Sequence, residues 1–575
     1  MAEDRSETPK DVAERAANVL APESGLFEDL DAAGFGAALT EVMRAGMANP
    51  QVPGQVAMRL AVDLARIPGV AAGAWLGQDV ESPVTVDAKD RRFADPAWMD
   101  NPVFHSIRLG YLAACRAAQD VVASAGLDAG TTSKAAAATQ LLLDALAPTN
   151  FLPTNPAALK RAFETAGMSL AKGAQNFADD LLNNEGRPRQ VDTRPFEVGR
   201  NLAATPAKVV YRNDLMELLQ YEPQTAEVHA NPLLCSPPWI NKYYVMDLAP
   251  GRSFIEWAVR HGRTVFAISY KNASKDMSGV TMDDYLVHGP QIALDVIQQI
   301  TGAETVDIAG LCLGGALTAI TNAYLMQSGD SRIGTLTLFN TMLDYAEPGA
   351  LGLFTDRATV DKLDRKMQKE GVLEGASMAG TFDVLRANDL IFNYVVSNWL
   401  MGEDPPVFDI LAWIADSTRM PAAMHAFYLR NFYVENKLAA GTLEIAGKAI
   451  DLSAIKAPTY VVSAINDHIV PWESSYKSTG LVSGAVRFVL SSGGHIAGIV
   501  NPPGPKAWYE VAPTDDALPA TAADWRAAAE RRSGSWWEDW ARWSDEHSGP
   551  MQDPPPMGSD RYPVLGEGPG TYVRT

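Results

Sequence analysis

The residues of this chain best suited to chemistry lie in Gly310-Leu311-Cys312-Leu313-Gly314-Gly315. An apolar run, Val306-Asp307-Ile308-Ala309, precedes them, and a helical pattern, Ala316–Tyr324, follows. A nucleophile set between glycines at a strand-to-helix turn is the pattern of an elbow that presents one side chain, here with sulfur in place of a serine oxygen. Glycine on each side lets the backbone take the tight turn and lets neighbouring elements approach closely. The partial positive charge of a helix N-terminus favours thiolate over thiol. Cys312 is therefore the expected nucleophile.

A nucleophile on such an elbow needs an acid and then a histidine later in the chain, each on a loop after a strand, which is the α/β-hydrolase arrangement. The strand-like Thr459–Ser463 runs into Ala464-Ile465-Asn466-Asp467-His468, and Val486–Leu490 runs into Ser491-Ser492-Gly493-Gly494-His495. Asp467 lies 155 residues after Cys312 and His495 a further 28 on, which leaves room for an inserted cap and then for one helix–strand unit. Cys312, His495 and Asp467 are the expected triad. Two backbone N–H groups should complete the site as an oxyanion hole. Leu313 supplies one by position. The other is expected from the turn Ser236-Pro237-Pro238-Trp239-Ile240, where the prolines have no N–H and Ile240 is the chosen donor. His468, Trp472, Asn241 and Tyr243 are the candidates to face substrate. Cys115 and Cys235 read as core thiols, and His425 as structural or cap-lining. No Cys/His spacing suggests a metal site, and no phosphate-loop or dinucleotide glycine motif is present.

The elements that must position these residues follow from texture. The first ~200 residues are alanine-rich with helical spacing, as in YLAACRAAQDVVASAG and SKAAAATQLLLDALAP. From about residue 205 short β-branched runs alternate with helical stretches: strands at Lys208–Tyr211, Pro232–Cys235, Thr264–Tyr270, Thr305–Ala309, Thr335–Phe339, Thr459–Ser463 and Val486–Leu490, with helices such as Ser253–His261 and Met282–Ile300 between them. That alternation argues for a doubly wound, mostly parallel α/β sheet. The expected organisation is a helical domain over 1–204 and a catalytic domain over 205–575, with a Trp/Tyr/Met-rich cap inserted at about 341–445. The net charge of −21 disfavours a phosphate-backbone partner. Three cysteines in 575 residues point to a reducing, cytoplasmic setting. The polar start, MAEDRSETPKDVAERAANVL, lacks the order of a signal peptide, and the uncharged stretch 308–329 reads as buried strand, turn and helix rather than a membrane span.

The set GLCLGG, PPWINKYYVMDL, AINDHIVPW and GGHIAGIVNPP resembles the polyhydroxyalkanoate synthases, particularly the long class I type that works without a partner subunit. DRRFADPAW, APTNFLPTNPAALKRAFETAG and VGRNLAATPAKVVYRNDLMELLQY extend the resemblance towards the N-terminus, so that it runs from about residue 85 to the end, while the first ~80 residues are unplaced, as is usual for the variable start of that family. The resemblance implies polymerisation of short-chain (R)-3-hydroxyacyl groups from coenzyme A thioesters, with release of CoA and no cofactor beyond the CoA that the substrate carries. It also implies a homodimer, with the cap governing opening and dimer contact, and association of the helical domain with the polyester granule surface and granule proteins. A cap-bearing Cys–His–Asp thioesterase is the alternative.

Overall fold

The computed structural model describes residues 34–87, 89–513 and 518–575; the N-terminal signal-peptide reading falls outside them. The chain divides into two compact units, one of residues up to 192 together with 377–407, the other of 193–376 together with 408–575.

The first unit is helical: Phe35–Ala48, Gln51–Trp75, Pro102–Ala123, Ala129–Ala145, Pro156–Glu164 and Met168–Asn183. Local chemistry sets several of its helix starts. Asn101, Asp128 and Asn155 each accept backbone N–H groups of the first turn, and Pro102 and Pro156 occupy the first helical position, where a missing donor costs nothing. Small side chains bring the helices close: Ala113 and Ala135 are completely buried, beside Ile67, Val70 and Leu109 in one cluster and Val42 and Val122 in another. The segment 377–407, inside the stretch expected as a single cap, packs here. Gly173 lies so close to the Trp399 carbonyl that a Cβ would overlap it, Trp399 Nε1 donates to Asp180 (2.9 Å), and Asn176 Nδ2 donates to the Asn398 carbonyl (3.0 Å). The remainder of 341–445 belongs to the second unit.

The second unit is built on an eleven-stranded mixed sheet. Its strands are β1 Ala207–Arg212, β2 Met216–Tyr221, β3 Leu233–Ser236, β4 Val265–Tyr270, β5 Val306–Leu311, β6 Ile333–Phe339, β7 Thr459–Ala464, β8 Val486–Ser491, β9 Trp508–Val511, β10 Glu530–Ser533 and β11 Gly566–Glu567, in the order β10-β9-β8-β7-β6-β5-β3-β4-β2-β1-β11. The six strands from β8 to β4 run parallel, and the remaining pairs at both edges are antiparallel. The strands whose runs the sequence displays are the six parallel ones and the antiparallel β1. β2 was not legible because MELLQY carries no β-branched residue, and its Met, Glu, Leu and Gln suit a helix equally well.

Side chains alternate across β5. Val306 and Ile308 join Phe266, Ile268 and the helix Ile292–Thr301 in the core of one face. Asp307 points the other way, where Arg263 Nη2 (2.7 Å) and Ser548 Oγ (3.1 Å) donate to its carboxylate. Burial pushes the Asp307 carboxyl up and the Arg263 charge opposes it. That face is closed by the helix Trp536–His547, whose Trp536 and Trp540 pack on Phe254 of the helix Phe254–Arg260, with Trp540 4.7 Å away. Among the described residues no helix is long and apolar enough to cross a membrane. Asp307→Ala leaves a buried guanidinium without its carboxylate, and denaturant unfolding is expected to show a loss of about 3–5 kcal/mol.

Candidate active site

Cys312 stands at the junction of β5 and the helix Leu313–Met326, with φ +52°, a conformation that side chains other than glycine rarely adopt. Its neighbours hold it there. The Cys312 N–H donates to the Phe339 carbonyl at 2.8 Å, and its own carbonyl receives the Ala316 N–H at 3.1 Å. Each glycine of the motif has a separate steric reason. A Cβ on Gly310 would meet Gly315 and Thr318 at 2.5–2.6 Å, one on Gly314 would overlap the Ser236 and Pro237 carbonyls, and one on Gly315 would overlap Thr341 Oγ1. Gly314 thereby brings the turn after β3 directly against the first turn of the helix Leu313–Met326. Leu313 is buried and Ile240 half-buried on these two facing segments.

His495 and Asp467 come from the loops that end β8 and β7. His495 Nδ1 lies 2.7 Å from Asp467 Oδ2. Asp467 Oδ1 accepts the N–H groups of Ile469 (2.8 Å) and Val470 (2.9 Å), which fixes the carboxylate. The two loops are tied together by Asn466 N–H to the Gly493 carbonyl (2.9 Å), and Gly493, at φ +109°, packs so closely on Gly498 that a Cβ would lie 2.9 Å from its nitrogen. The histidine is buried, and the Cys312 sulfur is within hydrogen-bonding reach of it. With Nδ1 held by Asp467, Nε2 is the nitrogen left for the sulfur. Burial alone would lower the His495 pKa, but Asp467, and then Cys312, outweigh it and push it up to about 10. The structure thus brings Cys312, His495 and Asp467 into one relay.

The four residues expected to face substrate are placed differently from one another. His468 is half-buried on the Asp467 turn. Asn241 is half-buried in a left-handed conformation (φ +66°), and its N–H donates to Thr418 Oγ1 at 2.8 Å. Trp472 instead lies buried, 6.2 Å from Trp525 and 6.5 Å from Phe488 with the Arg526 guanidinium over its ring, so its area is used in packing. Tyr243 is also buried, near Tyr221 and Asp247, because the chain turns inward after the Ile240 turn. Cys235 is fully buried and burial pushes its thiol up; Cys115 is half-buried on the helix Pro102–Ala123. His425 is buried and pushed down to about 4 by that burial. Among the described residues no cluster suited to hold a metal ion occurs.

Sequence reasoning did not single out the tyrosines beside the sulfur. Tyr345, Tyr428 and Tyr433 pack together, with ring separations of 4.9–6.4 Å and a 3.2 Å contact between the Tyr428 and Tyr433 hydroxyls. Burial raises all three phenols, and Cys312 adds to the shift in each. They come from positions some 30 to 120 residues past the nucleophile, within the aromatic-rich stretch, and only folding reveals which of its aromatics approach the sulfur.

Fold and site together define an α/β-hydrolase-fold protein with cysteine at the turn between β5 and the helix that follows it. The alpha/beta hydrolase fold family matches residues 249–502, and the family described as the Poly-beta-hydroxybutyrate polymerase (PhaC) N-terminus matches residues 89–258. The poly(3-hydroxyalkanoate) polymerase subunit PhaC of Rhizobium meliloti (strain 1021) is 42% identical over 504 residues, covering 87% of this chain and 82% of that one. The poly(3-hydroxyalkanoate) polymerase of Methylorubrum extorquens is 40% identical over 540 residues, 93% and 89% of the two chains. That of Cupriavidus necator, again named subunit PhaC, is 39% identical over 495 residues, 84% and 83%. The chain belongs to the poly(3-hydroxyalkanoate) polymerase family.

Two measurements check the site. A pKa raised from the ordinary 6.5 to about 10 means that the folded His495 keeps its proton through neutral pH, so its stabilising share is complete below about 6.5 and is lost as pH rises through about 10. An NMR titration of the His495 ring is expected to show that high inflection, and Asp467→Asn is expected to lower it. Gly315→Ala is expected to destabilise the chain by about 1–3 kcal/mol in denaturant unfolding, through overlap with Thr341. Thr341→Ala in the same chain should recover part of the loss.

Proposed function

We propose that this chain polymerises (R)-3-hydroxyacyl groups, supplied as coenzyme A thioesters, into polyhydroxyalkanoate with release of free CoA. The observation that carries this reading is the Cys312–His495–Asp467 relay in a chain of the poly(3-hydroxyalkanoate) polymerase family. The thiol proton of Cys312 already resides on His495 Nε2 in the resting pair, and the thiolate adds to the thioester carbonyl. The Leu313 and Ile240 N–H groups hold the oxyanion. Collapse expels CoA thiolate, which takes a proton from the His495 imidazolium. Exchange of one thioester for another costs little, so the acyl group stays reactive on Cys312. A 3-hydroxyl then attacks that acyl carbonyl, forming the C–O bond of the ester and breaking the C–S bond. Its proton passes to the His495–Asp467 pair, and Cys312 is returned as thiolate. In this scheme Asp467 matters more for chain growth than for the first acylation.

Short acyl chains, a homodimer and a cytoplasmic enzyme at the polyester granule surface complete the proposal. No cofactor is needed beyond the CoA of the substrate. The exposed apolar side chains of the helical unit, Phe163 (90% exposed), Met47 and Met168 among them, suit an apolar polymer surface. The stretches 341–376 and 408–445, which carry the three tyrosines, suit exclusion of water while polymer grows.

Incubation with 3-hydroxybutyryl-CoA is expected to release CoA and leave insoluble polyester, whereas soluble hydroxy acid would identify a thioesterase. Cys312→Ala is expected to release no CoA. Asp467→Asn should still acylate Cys312 in a single turnover while elongation falls by at least about 100-fold, within the range that positioned acid–base groups contribute. Equal loss of both steps would refute the division of roles.

A further inference from the structure

We infer that the tripeptide Phe339-Asn340-Thr341, at the end of β6, is a brace that sets the separation of Cys312 and His495, with Asn340 as a positioning residue. The inference rests on the Cys312–His495–Asp467 reading above. Phe339 and Thr341 grip the Cys312 turn, and Asn340 grips the histidine loop and β7. The Phe339 carbonyl accepts the Cys312 N–H at 2.8 Å, so it fixes the elbow from the side of the sheet. Thr341 Oγ1 lies 3.0 Å from the Phe339 carbonyl and 3.3 Å from the Cys312 carbonyl. Between them, Asn340 Nδ2 donates to the His495 carbonyl, and the Asn340 N–H donates to the Val462 carbonyl at 2.8 Å. Val462 is in β7, five residues before Asp467. One short stretch of backbone is therefore bonded to the nucleophile elbow, to the histidine loop and to the strand that carries the acid.

Asn340 holds this place against its own interest. It is completely buried, its φ is +42°, and its Oδ1 has no hydrogen-bond partner. A left-handed non-glycine residue and a buried unpartnered carbonyl oxygen each cost stability. Glycine would take the same turn without either cost. What glycine lacks is the amide N–H that reaches His495. Exchanging the amide oxygen and nitrogen would satisfy nothing, since it would set the oxygen against the His495 carbonyl. The brace also accounts for Gly315, whose missing Cβ is the space Thr341 Oγ1 occupies.

Asn340→Gly tests this in the full chain, because it preserves the left-handed turn and deletes only the amide. CoA release from 3-hydroxybutyryl-CoA is expected to show kcat lowered about 10- to 100-fold with KM within about twofold, and alkylation of Cys312 by iodoacetamide should slow in parallel. Asn340→Asp is the conservative rescue: its carboxyl donates only when protonated, so its rate relative to wild type should climb as pH falls. A folded Asn340→Gly with wild-type kcat and alkylation, or with a lowered melting temperature as its only change, overturns the brace. If Asn340→Gly does not fold, a pH-independent ratio for Asn340→Asp overturns it instead. His495→Ala separates the two levels, since wild-type CoA release and alkylation there would remove the triad reading itself.

Discussion

The site depends on one strained residue. Cys312 has to stand at φ +52° for its sulfur to project from the elbow, and a strained conformation persists only where the surroundings leave no alternative. Those surroundings are dense. Gly310, Gly314 and Gly315 are each in contact with a different neighbour at a distance that excludes a Cβ, namely the helix itself, the turn after β3 and Thr341. The same packing that strains the cysteine brings the Ile240 turn beside Leu313 and the residues past β6 beside the elbow. Strain and site assembly are one constraint.

The charge pattern follows from burial. His495 is shut away from water, which would keep it neutral, yet the Asp467 carboxylate and the sulfur reverse that preference. Asp467 is in turn held by two backbone N–H groups of its own loop, so it orients the ring without adjustment. Burial raises the three phenols, and the charge of Cys312 adds to the rise, for the same reason that His425 is pushed down: buried groups resist charge unless a partner is present.

Around this centre the second unit spends its polar residues on anchoring. Arg263 and Asp307 form a pair that is almost wholly buried, and Ser548 at the end of the tryptophan-rich helix joins it. Asp307 is in the strand that leads to Cys312, five residues before it. The C-terminal helix is thus fastened to the nucleophile strand by charge on one side, while Val306 and Ile308 fasten the same strand by apolar packing on the other.

The sequence by itself displayed β1 and the strands of the parallel middle, the glycine-flanked turn at Cys312, and the loops after β7 and β8 that carry Asp467 and His495. These are local patterns: β-branched runs between turns, glycines around one cysteine, and loops at strand ends. What it could not determine is contact. β2 was hidden because MELLQY has no β-branched residue and reads as helix, and the short edge strands carry too few residues for a period. Trp472 and Tyr243 have the residue types of a binding wall but turn into the core, since direction depends on what packs behind them. The tyrosines beside Cys312, the return of 377–407 to the helical unit, and the reach of Asn340 to a carbonyl 155 residues away arise only when distant segments share one packed interior. Burial, left-handed strain and the pairing of each polar atom are properties of that interior, and the tertiary structure alone decided them.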